Sequence, residues 1–218
     1  MTFKPRVKIC CIGSLEEARL AITYGASAVG LVSEMPSGPG VIPEELIAEI
    51  AASVPPPIAT FLLTCKETAA DIIAQQRRCL VNTIQICDRV AGGVYDELRA
   101  ALPSISLVQV VHVRDHTSFD EAMSAAGKAD ALLLDSGNPT LAVKELGGTG
   151  RVHNWLISRQ IVEQSSVPVF LAGGLNPGNV REAVDAVQPF GLDICSGVRT
   201  NGHLDEQKLS AFITTIST

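Results

Sequence analysis

Aromatic residues are scarce in this chain, at 4% of its 218 residues, and long uninterrupted apolar runs are missing. A helix that crosses a bilayer needs about 20 mainly apolar residues in a row, so no transmembrane helix is predicted. Residues 1–6 have no apolar core after their charges, which argues against a secretion signal. The sequence therefore predicts a cytoplasmic protein without a membrane partner.

Clusters of positive charge are missing as well. The chain carries 17 Lys and Arg residues against 23 Asp and Glu residues, for a formal net charge of −6, and its cations are scattered. A nucleic-acid-binding surface needs a basic stripe or patch, and an anionic membrane needs a polybasic segment. No nucleic-acid partner is predicted, and the composition favours small-molecule chemistry.

Paired cysteine and histidine motifs are also absent. The six cysteines have no CxxC spacing, and four of them lie within or at the ends of strand-like runs, which favours reduced thiols. His112 and His116 are four residues apart, but the sequence around them gives no HExxH-like pattern. No metal site is predicted.

Short apolar runs alternate with amphipathic stretches along the whole chain, in which 46% of residues are hydrophobic. Runs of four to eight residues are typical of buried strands, and the longer periodic stretches are typical of helices. Strands are predicted at residues 7–12, 28–32, 58–63, 83–87, 107–113, 131–135, 167–172 and 192–195. Helices are predicted at residues 14–24, 43–53, 67–79, 93–102, 119–126, 153–165, 177–187 and 206–216.

Local signals support two of the helices. Ser14 and Glu17 predict a capping box at the start of the first helix, and Gly25 predicts a left-handed residue at its end. Asn176 and Pro177 predict the start of the seventh helix.

Eight such strand–helix units, each of about 27 residues, match the size of one closed barrel. A continuously apolar strand such as 131–134 is typical of a parallel sheet that is covered on both faces. An open doubly wound sheet alternates in the same way, but the number of units favours closure. We predict the α/β fold class with one domain over residues 1–218, a (βα)8 TIM barrel, as a monomer or homodimer.

Two reactive side chains are predicted at the C-terminal ends of strands, where barrels place their active sites. Cys10 ends the first strand, where a thiolate can act as a general base; the alternative is a small buried hydrophobe. Asp135 follows three leucines, and so apolar a setting favours a protonated acid; the alternative is a residue that caps the next loop.

Glycine-containing loops follow the seventh and eighth predicted strands, at the two places that often hold phosphate in barrels. Without a side chain, the backbone can approach a phosphate closely and turn its N–H groups toward it. Two ordinary turns are the alternative. The predicted phosphate-binding residues are Gly173, Gly174, Asn176, Ser196 and Gly197.

A third glycine-rich segment precedes the sixth helix. Gly148, Thr149 and Gly150 are predicted to form a substrate loop that folds over an anion or closes the site as a lid. A plain flexible turn is the alternative.

Together these motifs resemble phosphoribosylanthranilate isomerase of tryptophan biosynthesis, nearly end to end. The resemblance implies an Amadori rearrangement of N-(5-phosphoribosyl)anthranilate to 1-(2-carboxyphenylamino)-1-deoxyribulose 5-phosphate, without a cofactor. It implies that Cys10 is the general base at the sugar C2 atom and that Asp135 is the general acid at the ribose ring oxygen. The motifs are Val-Lys-Ile-Cys at 7–10, Leu-Leu-Asp-Ser at 133–136, Gly-Gly-Thr-Gly at 147–150, Ala-Gly-Gly-Leu-Asn-Pro at 172–177 and Ser-Gly-Val at 196–198.

The chain departs from the family pattern near the expected aromatic end of the substrate. Cys11 stands where Gly usually follows the catalytic Cys, and Pro39 stands where an Arg meets the anthranilate carboxylate. Residues 87–88 read Cys-Asp instead of His-Gly, and Arg199 replaces an acidic residue. Arg114 and Arg199 are the candidates for a substitute cation. A related phosphoribosyl amine as substrate, and a non-catalytic phosphosugar-binding barrel, remain alternatives.

Overall fold

The computed structural model describes residues 4–138, 140–148 and 150–217, and it contains a closed barrel of parallel strands in the order β1 to β8. β8 closes the barrel on β1, with Arg6 opposite Gly191 and Ile9 opposite Ile194. The predicted barrel is therefore confirmed. Its strands are β1 Arg6–Ile9, β2 Ala28–Val32, β3 Ala59–Thr64, β4 Thr83–Ile86, β5 Ser106–His112, β6 Ala131–Asp135, β7 Val169–Leu171 and β8 Gly191–Ile194.

A helix follows each strand of the barrel and covers its outer face. All eight predicted helices are found, with ends that differ from the predicted ones by three residues or fewer. They are α1 Leu15–Thr23, α2 Glu44–Ser53, α3 Ala69–Cys79, α4 Gly92–Ala101, α5 Thr117–Ala126, α6 Trp155–Gln164, α7 Val180–Val187 and α8 Glu206–Thr215. Among the described residues, no helix is long and apolar enough to cross a membrane.

Apolar side chains are buried on both faces of the strands. In β6, Leu132 and Leu134 pack in the layer between strands and helices, whereas Leu133 points into the barrel with Phe61 and Phe170. Successive side chains of a strand point to opposite faces, so a strand that is covered on both sides must be apolar throughout. This explains the continuous leucine run in the sequence.

The cap of α1 differs in one detail from the predicted capping box. The Ser14 hydroxyl accepts a hydrogen bond from the amide of Glu17 at 3.2 Å, as expected. The Glu17 carboxylate, however, accepts from the amide of Gly13 at 3.0 Å, one residue before the cap. Gly25 takes φ +92, which confirms the left-handed residue after the helix.

The two largest boundary differences, of three residues each, coincide with specific turns of the backbone. β1 ends at Ile9 rather than at residue 12, because Cys11 adopts a left-handed φ of +61 that no strand continues. α7 begins at Val180 rather than at residue 177. There the Asn176 side chain accepts a hydrogen bond from the amide of Gly178 at 2.9 Å, which forms a turn before the helix.

A short hairpin between β8 and α8 was not predicted. After a 3₁₀ turn at Ser196–Val198, β9 (Arg199–Thr200) pairs antiparallel with β10 (His203–Leu204). Asn201 and Gly202 between them have φ values of +52 and +83. The Asn-Gly pair is the usual signal for a two-residue hairpin turn with two positive φ values, and the sequence therefore contained the signal.

Candidate active site

A cavity opens at the C-terminal end of the barrel, where the predicted site residues were expected. Seven of the ten predicted residues line it, and they come from both the catalytic and the glycine sets. Asn176 and Gly197 are absent from the described lining, and Thr149 lies outside the described residues. The seven that line the cavity are Cys10, Asp135, Gly148, Gly150, Gly173, Gly174 and Ser196.

Cys10 lies directly after β1 and is 5% exposed. Its amide donates to the carbonyl of Ile194 at 2.8 Å, so the backbone still follows the pairing of β1 with β8. Gly30 of β2 faces it: a Cβ there would lie 2.9 Å from the Cys10 sulfur and 3.0 Å from Lys8 Nζ. A glycine at this position of β2 therefore leaves the room that the thiol occupies.

A buried ion pair lies in the barrel interior near Cys10. Lys8 is fully buried, and its Nζ donates to Asp193 Oδ1 at 2.8 Å, which joins β1 to β8 across the closure of the barrel. Burial alone would lower the pKa of Lys8, but the carboxylate of Asp193, together with the neighbouring Cys10 and Cys11, outweighs it and raises the pKa. Lys8 therefore stays protonated. Asp193 also lines the cavity.

Asp135 ends β6, which lies three strands from β1 around the barrel, and is 8% exposed. Its Oδ1 accepts a hydrogen bond from the amide of Ser136 at 2.7 Å. Its Oδ2 lies 2.6 Å from the place where a Cβ of Gly147 would stand. The carboxyl group is thus held by its own loop while it lines the same cavity as Cys10.

We call the loops after β7 and β8, residues 172–176 and 195–197, the glycine rim. Gly173 and Gly174 have φ values of +82 and +64, and a Cβ on Gly174 would lie 2.7 Å from the backbone of Arg151. The Asn176 side chain donates to the carbonyl of Gly174 at 3.2 Å. A Cβ on Gly197 would lie only 2.0 Å from the carbonyl of Leu175. Asn176 and Gly197 therefore shape and pack this rim.

His153 lies behind the glycine rim. Its Nε2 is 2.8 Å from the hydroxyl of Ser158, and its Nδ1 is 3.1 Å from where a Cβ of Gly173 would stand. Burial lowers the pKa of His153 to about 4, against the attraction of Asp135. The imidazole is therefore neutral at pH 7.

We call the loops after β1, β2 and β4, residues 10–14, 33–42 and 87–91, the ion-pair rim. Arg199 fixes its first loop: two guanidinium nitrogens donate to the two carboxylate oxygens of Glu17, each at 3.0 Å. Arg199 also donates to the carbonyls of Cys10 and Cys11. Burial alone would raise the pKa of Glu17, but the bonds from Arg199, Leu204 and Gly13 outweigh it and lower the pKa.

A second ion pair fixes the other end of this rim. Asp88 is buried after β4 and pairs with Lys144, which also donates to Glu67 at 2.9 Å. Lys144 belongs to the long loop after β6. The same loop packs on Pro39, because a Cβ on Gly148 would lie 2.7 Å from the Pro39 ring. Each departure from the family pattern is thus accommodated by a specific contact.

Neither candidate for a substitute cation faces the cavity. Arg199 is engaged with Glu17 and with backbone carbonyls, and Arg114 is exposed outside the cavity. Among the described residues, no Lys or Arg side chain lines the cavity, and no cluster of three or more His, Cys, Asp and Glu residues is placed to hold a metal ion.

Several residues that line the cavity were missed by sequence reasoning. Asp193 is a carboxylate inside the apolar strand β8, two residues before Cys195 of the glycine rim, and that position was the available signal. Gln85 of β4 is 3% exposed, and its Oε1 has no hydrogen-bond partner. Cys11 and Cys195 also line the cavity, and the thiol of Cys11 interacts with those of both Cys10 and Cys195.

Comparisons with known proteins agree with this arrangement. A family profile described as N-(5′-phosphoribosyl)anthranilate isomerase matches residues 7–215. The N-(5′-phosphoribosyl)anthranilate isomerase of Haloferax volcanii is 35% identical over 215 residues, which cover 98% of this chain and 93% of the relative. The solved isomerase of Pyrococcus furiosus is 25% identical with a TM-score of 0.82, and the match covers 98% of each chain.

A further solved structure is a phosphoribosylanthranilate isomerase in complex with reduced 1-(o-carboxyphenylamino)-1-deoxyribulose 5-phosphate. It is 27% identical to this chain with a TM-score of 0.76, and the match covers 98% of both chains. The profile spans most of the chain, and the identity to the Haloferax relative extends over nearly all of it. This chain therefore belongs to the N-(5′-phosphoribosyl)anthranilate isomerase family.

Proposed function

We propose that this protein converts N-(5-phosphoribosyl)anthranilate to 1-(2-carboxyphenylamino)-1-deoxyribulose 5-phosphate, an isomerisation step of tryptophan biosynthesis. The observation that supports it most is that Cys10, Asp135 and the glycine rim line one cavity. The related isomerase that was solved with the reduced product analogue supports the identity of the ligand. We place the reaction in the cytoplasm and expect a monomer or a homodimer.

Asp135 begins the reaction as the general acid. A proton from its carboxyl group goes to the ribose ring oxygen, the bond between that oxygen and C1 breaks, and an open-chain Schiff base forms. The amide of Ser136 holds one oxygen of this carboxyl group, so the other oxygen is available to the substrate. A positioned acid or base contributes about 10²- to 10⁴-fold to a rate.

Cys10 completes the reaction as the general base. Its thiolate takes the proton from C2, the electron pair forms the C1–C2 double bond, and the protonated Schiff base becomes a neutral enolamine. Tautomerisation to the ketone gives the product. No electrons leave the substrate, so the reaction itself requires no oxidant or reductant.

The glycine rim binds the phosphate at the other end of the substrate. Gly173, Gly174 and Ser196 line the cavity, and backbone amides with one hydroxyl can solvate an anion there without a Lys or Arg side chain. Asn176 and Gly197 act indirectly, because they fix the shape of the two loops. Gly148 and Gly150 close the cavity from the loop after β6.

A related phosphoribosyl amine without the ring carboxylate is the second candidate substrate. One observation favours it: among the described residues that line the cavity there is no cation to meet a carboxylate, and Pro39 occupies the place of the family's Arg. Ser37 and Gly38 beside Pro39 offer only a hydroxyl and backbone groups.

The test is turnover of freshly generated N-(5-phosphoribosyl)anthranilate, followed by loss of its fluorescence. The parent protein should be active, and Cys10→Ala and Asp135→Asn should each lose at least about 10²-fold in kcat. Matched controls are Cys65→Ala and Asp130→Asn, because neither residue lines the cavity. An inactive parent that still binds the product analogue would exclude the proposed reaction and favour a binding protein.

A further inference from the structure

Three cysteines meet at the mouth of the barrel, and the isomerisation uses only one of them. Cys10 and Cys11 follow β1, and Cys195 follows β8, the strand that pairs with β1. The amide of Cys10 donates to the carbonyl of Ile194 at 2.8 Å, so the residues that follow these two, Cys11 and Cys195, lie on neighbouring segments, and the thiol of Cys11 interacts with those of Cys10 and Cys195. All three line one cavity, so a small reagent that enters it meets them together.

The backbone around Cys11 is held in an unusual conformation. Its φ of +61 lies in the left-handed region, which residues other than glycine rarely adopt. Gly40 packs against it so closely that a Cβ there would lie 2.5 Å from the Cys11 Cβ. The guanidinium of Arg199 binds the carbonyls of Cys10 and Cys11, which lie on either side of the Cys11 Cα. The surrounding structure thus holds the backbone of Cys11 in this conformation.

The two thiols differ in proton affinity. The neighbouring thiol of Cys11, followed by the charge of Arg199, lowers the pKa of Cys195 despite its burial. The thiols of Cys10 and Cys195, together with burial, raise the pKa of Cys11. Thiolates react with peroxides far faster than thiols do, and a neighbouring thiol then resolves the sulfenic acid.

We propose that Cys11 and Cys195 are a site of reversible oxidation, which closes to a disulfide when hydrogen peroxide enters the cavity. The Cys195 thiolate attacks one peroxide oxygen, the O–O bond breaks, and the leaving hydroxide takes a proton to become water. Cys195 is then a sulfenic acid. The Cys11 sulfur attacks the Cys195 sulfur, the S–O bond breaks, and a second water leaves. Two thiols lose two electrons, and the peroxide gains both.

Cys10 is a poor alternative partner for Cys11. Adjacent Cα atoms are about 3.8 Å apart across a trans peptide, whereas disulfides usually join Cα atoms about 4.4–6.8 Å apart. Cys195 lies on a different element and has no such restriction. The proposed bond therefore crosses the closure between β1 and β8 and leaves the sulfur of Cys10 free.

The experiment treats the purified full-length chain with hydrogen peroxide, alkylates the remaining thiols and maps the peptides by mass spectrometry. A Cys11 peptide joined to a Cys195 peptide is expected, with two of the six free thiols lost. The link should disappear with dithiothreitol and should not form in Cys195→Ser. In Cys11→Ser no resolving thiol remains, so dimedone should label Cys195 as a sulfenic acid.

Cys65→Ala is the matched control, because the Cys65 thiol donates to the carbonyl of Glu34 at 3.2 Å and does not line the cavity. This variant should keep the Cys11–Cys195 link. Alkylation of both Cys11 and Cys195 after peroxide would overturn the proposal, as would oxygen added to Cys10 with no link formed. The readout is a peptide mass and does not depend on isomerase activity.

Discussion

The two rims of the cavity are held in place by different physical means. The glycine rim is formed by backbone: Gly173 and Gly174 adopt positive φ values, and Gly174 leaves no space for a side chain. The ion-pair rim depends on side chains, through Arg199 with Glu17 on one side and Lys144 with Asp88 on the other. A rim that is formed by backbone needs only glycine residues and a fixed turn. The shape of a rim that is held by ion pairs changes whenever a substitution alters one residue of a pair.

This difference explains where the family pattern persists in this chain. The glycine rim keeps the family's motifs, and the departures at Cys11, Pro39, Asp88 and Arg199 fall on the ion-pair rim or its supports. Arg199 contacts the Cys10 and Cys11 carbonyls, so two of these departures touch each other. The proposed phosphate end therefore keeps the motifs through which the chain resembles the family, while the proposed aglycone end departs from them.

The largest expected effect is on stability, from removal of the cation that supports the ion-pair rim. Arg199→Ala leaves the half-buried Glu17 without its partner and frees the Cys10–Cys11 turn, so the free energy of unfolding should fall by about 3–5 kcal/mol. Urea denaturation measures it. Arg99→Ala is the control: its pair with Asp130 is exposed, and its loss should cost less than about 1 kcal/mol. Equal losses in both variants would contradict a special role for Arg199.

The glycine rim is tested by adding one methyl group. Gly174→Ala places a Cβ 2.7 Å from the Arg151 backbone at a φ of +64, so the rim must move and lose amide contacts with the phosphate. Contacts with a charged group contribute about 1.5–3 kcal/mol, so KM should rise roughly ten- to hundredfold. Gly25→Ala controls for backbone strain, because its φ is +92 but nothing lies within 4 Å. A normal KM in Gly174→Ala would exclude a backbone phosphate site there.

The pH dependence of stability tests the packing behind the glycine rim. The pKa of His153 is about 4 in the fold and about 6.5 in the unfolded chain, so the unfolded state binds more protons between these values. The free energy of unfolding should therefore decrease as the pH falls from 6.5 toward 4. The expected decrease between pH 7 and pH 5 is about 2 kcal/mol. Denaturation of His153→Gln should show a smaller loss, while His203→Gln, at an exposed position, should match the parent.

The smallest expected effect comes from returning a cation to the ion-pair rim. Pro39→Arg places a guanidinium where the loop after β2 lines the cavity. If it reaches the anthranilate carboxylate, KM should fall about tenfold, which corresponds to about 1.4 kcal/mol. Pro39→Gln, which adds similar length without charge, should not lower KM. An equal fall in KM in both variants would mean that removal of the proline ring, and not the added charge, is responsible.

Much of the fold could be predicted from the sequence because its signals are local. Periodicity marked every strand and helix of the barrel, and Gly25 marked the end of α1. The Asn201-Gly202 turn was equally local but was overlooked. The early end of β1 was not readable, because the left-handed backbone of Cys11 depends on contacts with Gly40 and Arg199.

The site could be predicted only as far as motifs describe it. Cys10, Asp135 and part of the predicted glycine set line the cavity, but the pairs that hold it were not foreseen. Lys8 bonds to Asp193 across 185 positions of sequence, and Arg199 bonds to Glu17 across 182. Such pairs form because the barrel closes β8 on β1, and no periodic pattern in the sequence indicates them.

The comparison of the two rims is tested most directly by calorimetric titration with two ligands. One is reduced 1-(o-carboxyphenylamino)-1-deoxyribulose 5-phosphate, and the other is the same compound without its ring carboxylate. Because we propose that the glycine rim holds the phosphate, and because no described cation lines the other end, both should bind with dissociation constants that differ only a few-fold. A ten- to hundredfold weaker affinity without the carboxylate would contradict this, since it would require a charged partner at the ion-pair rim.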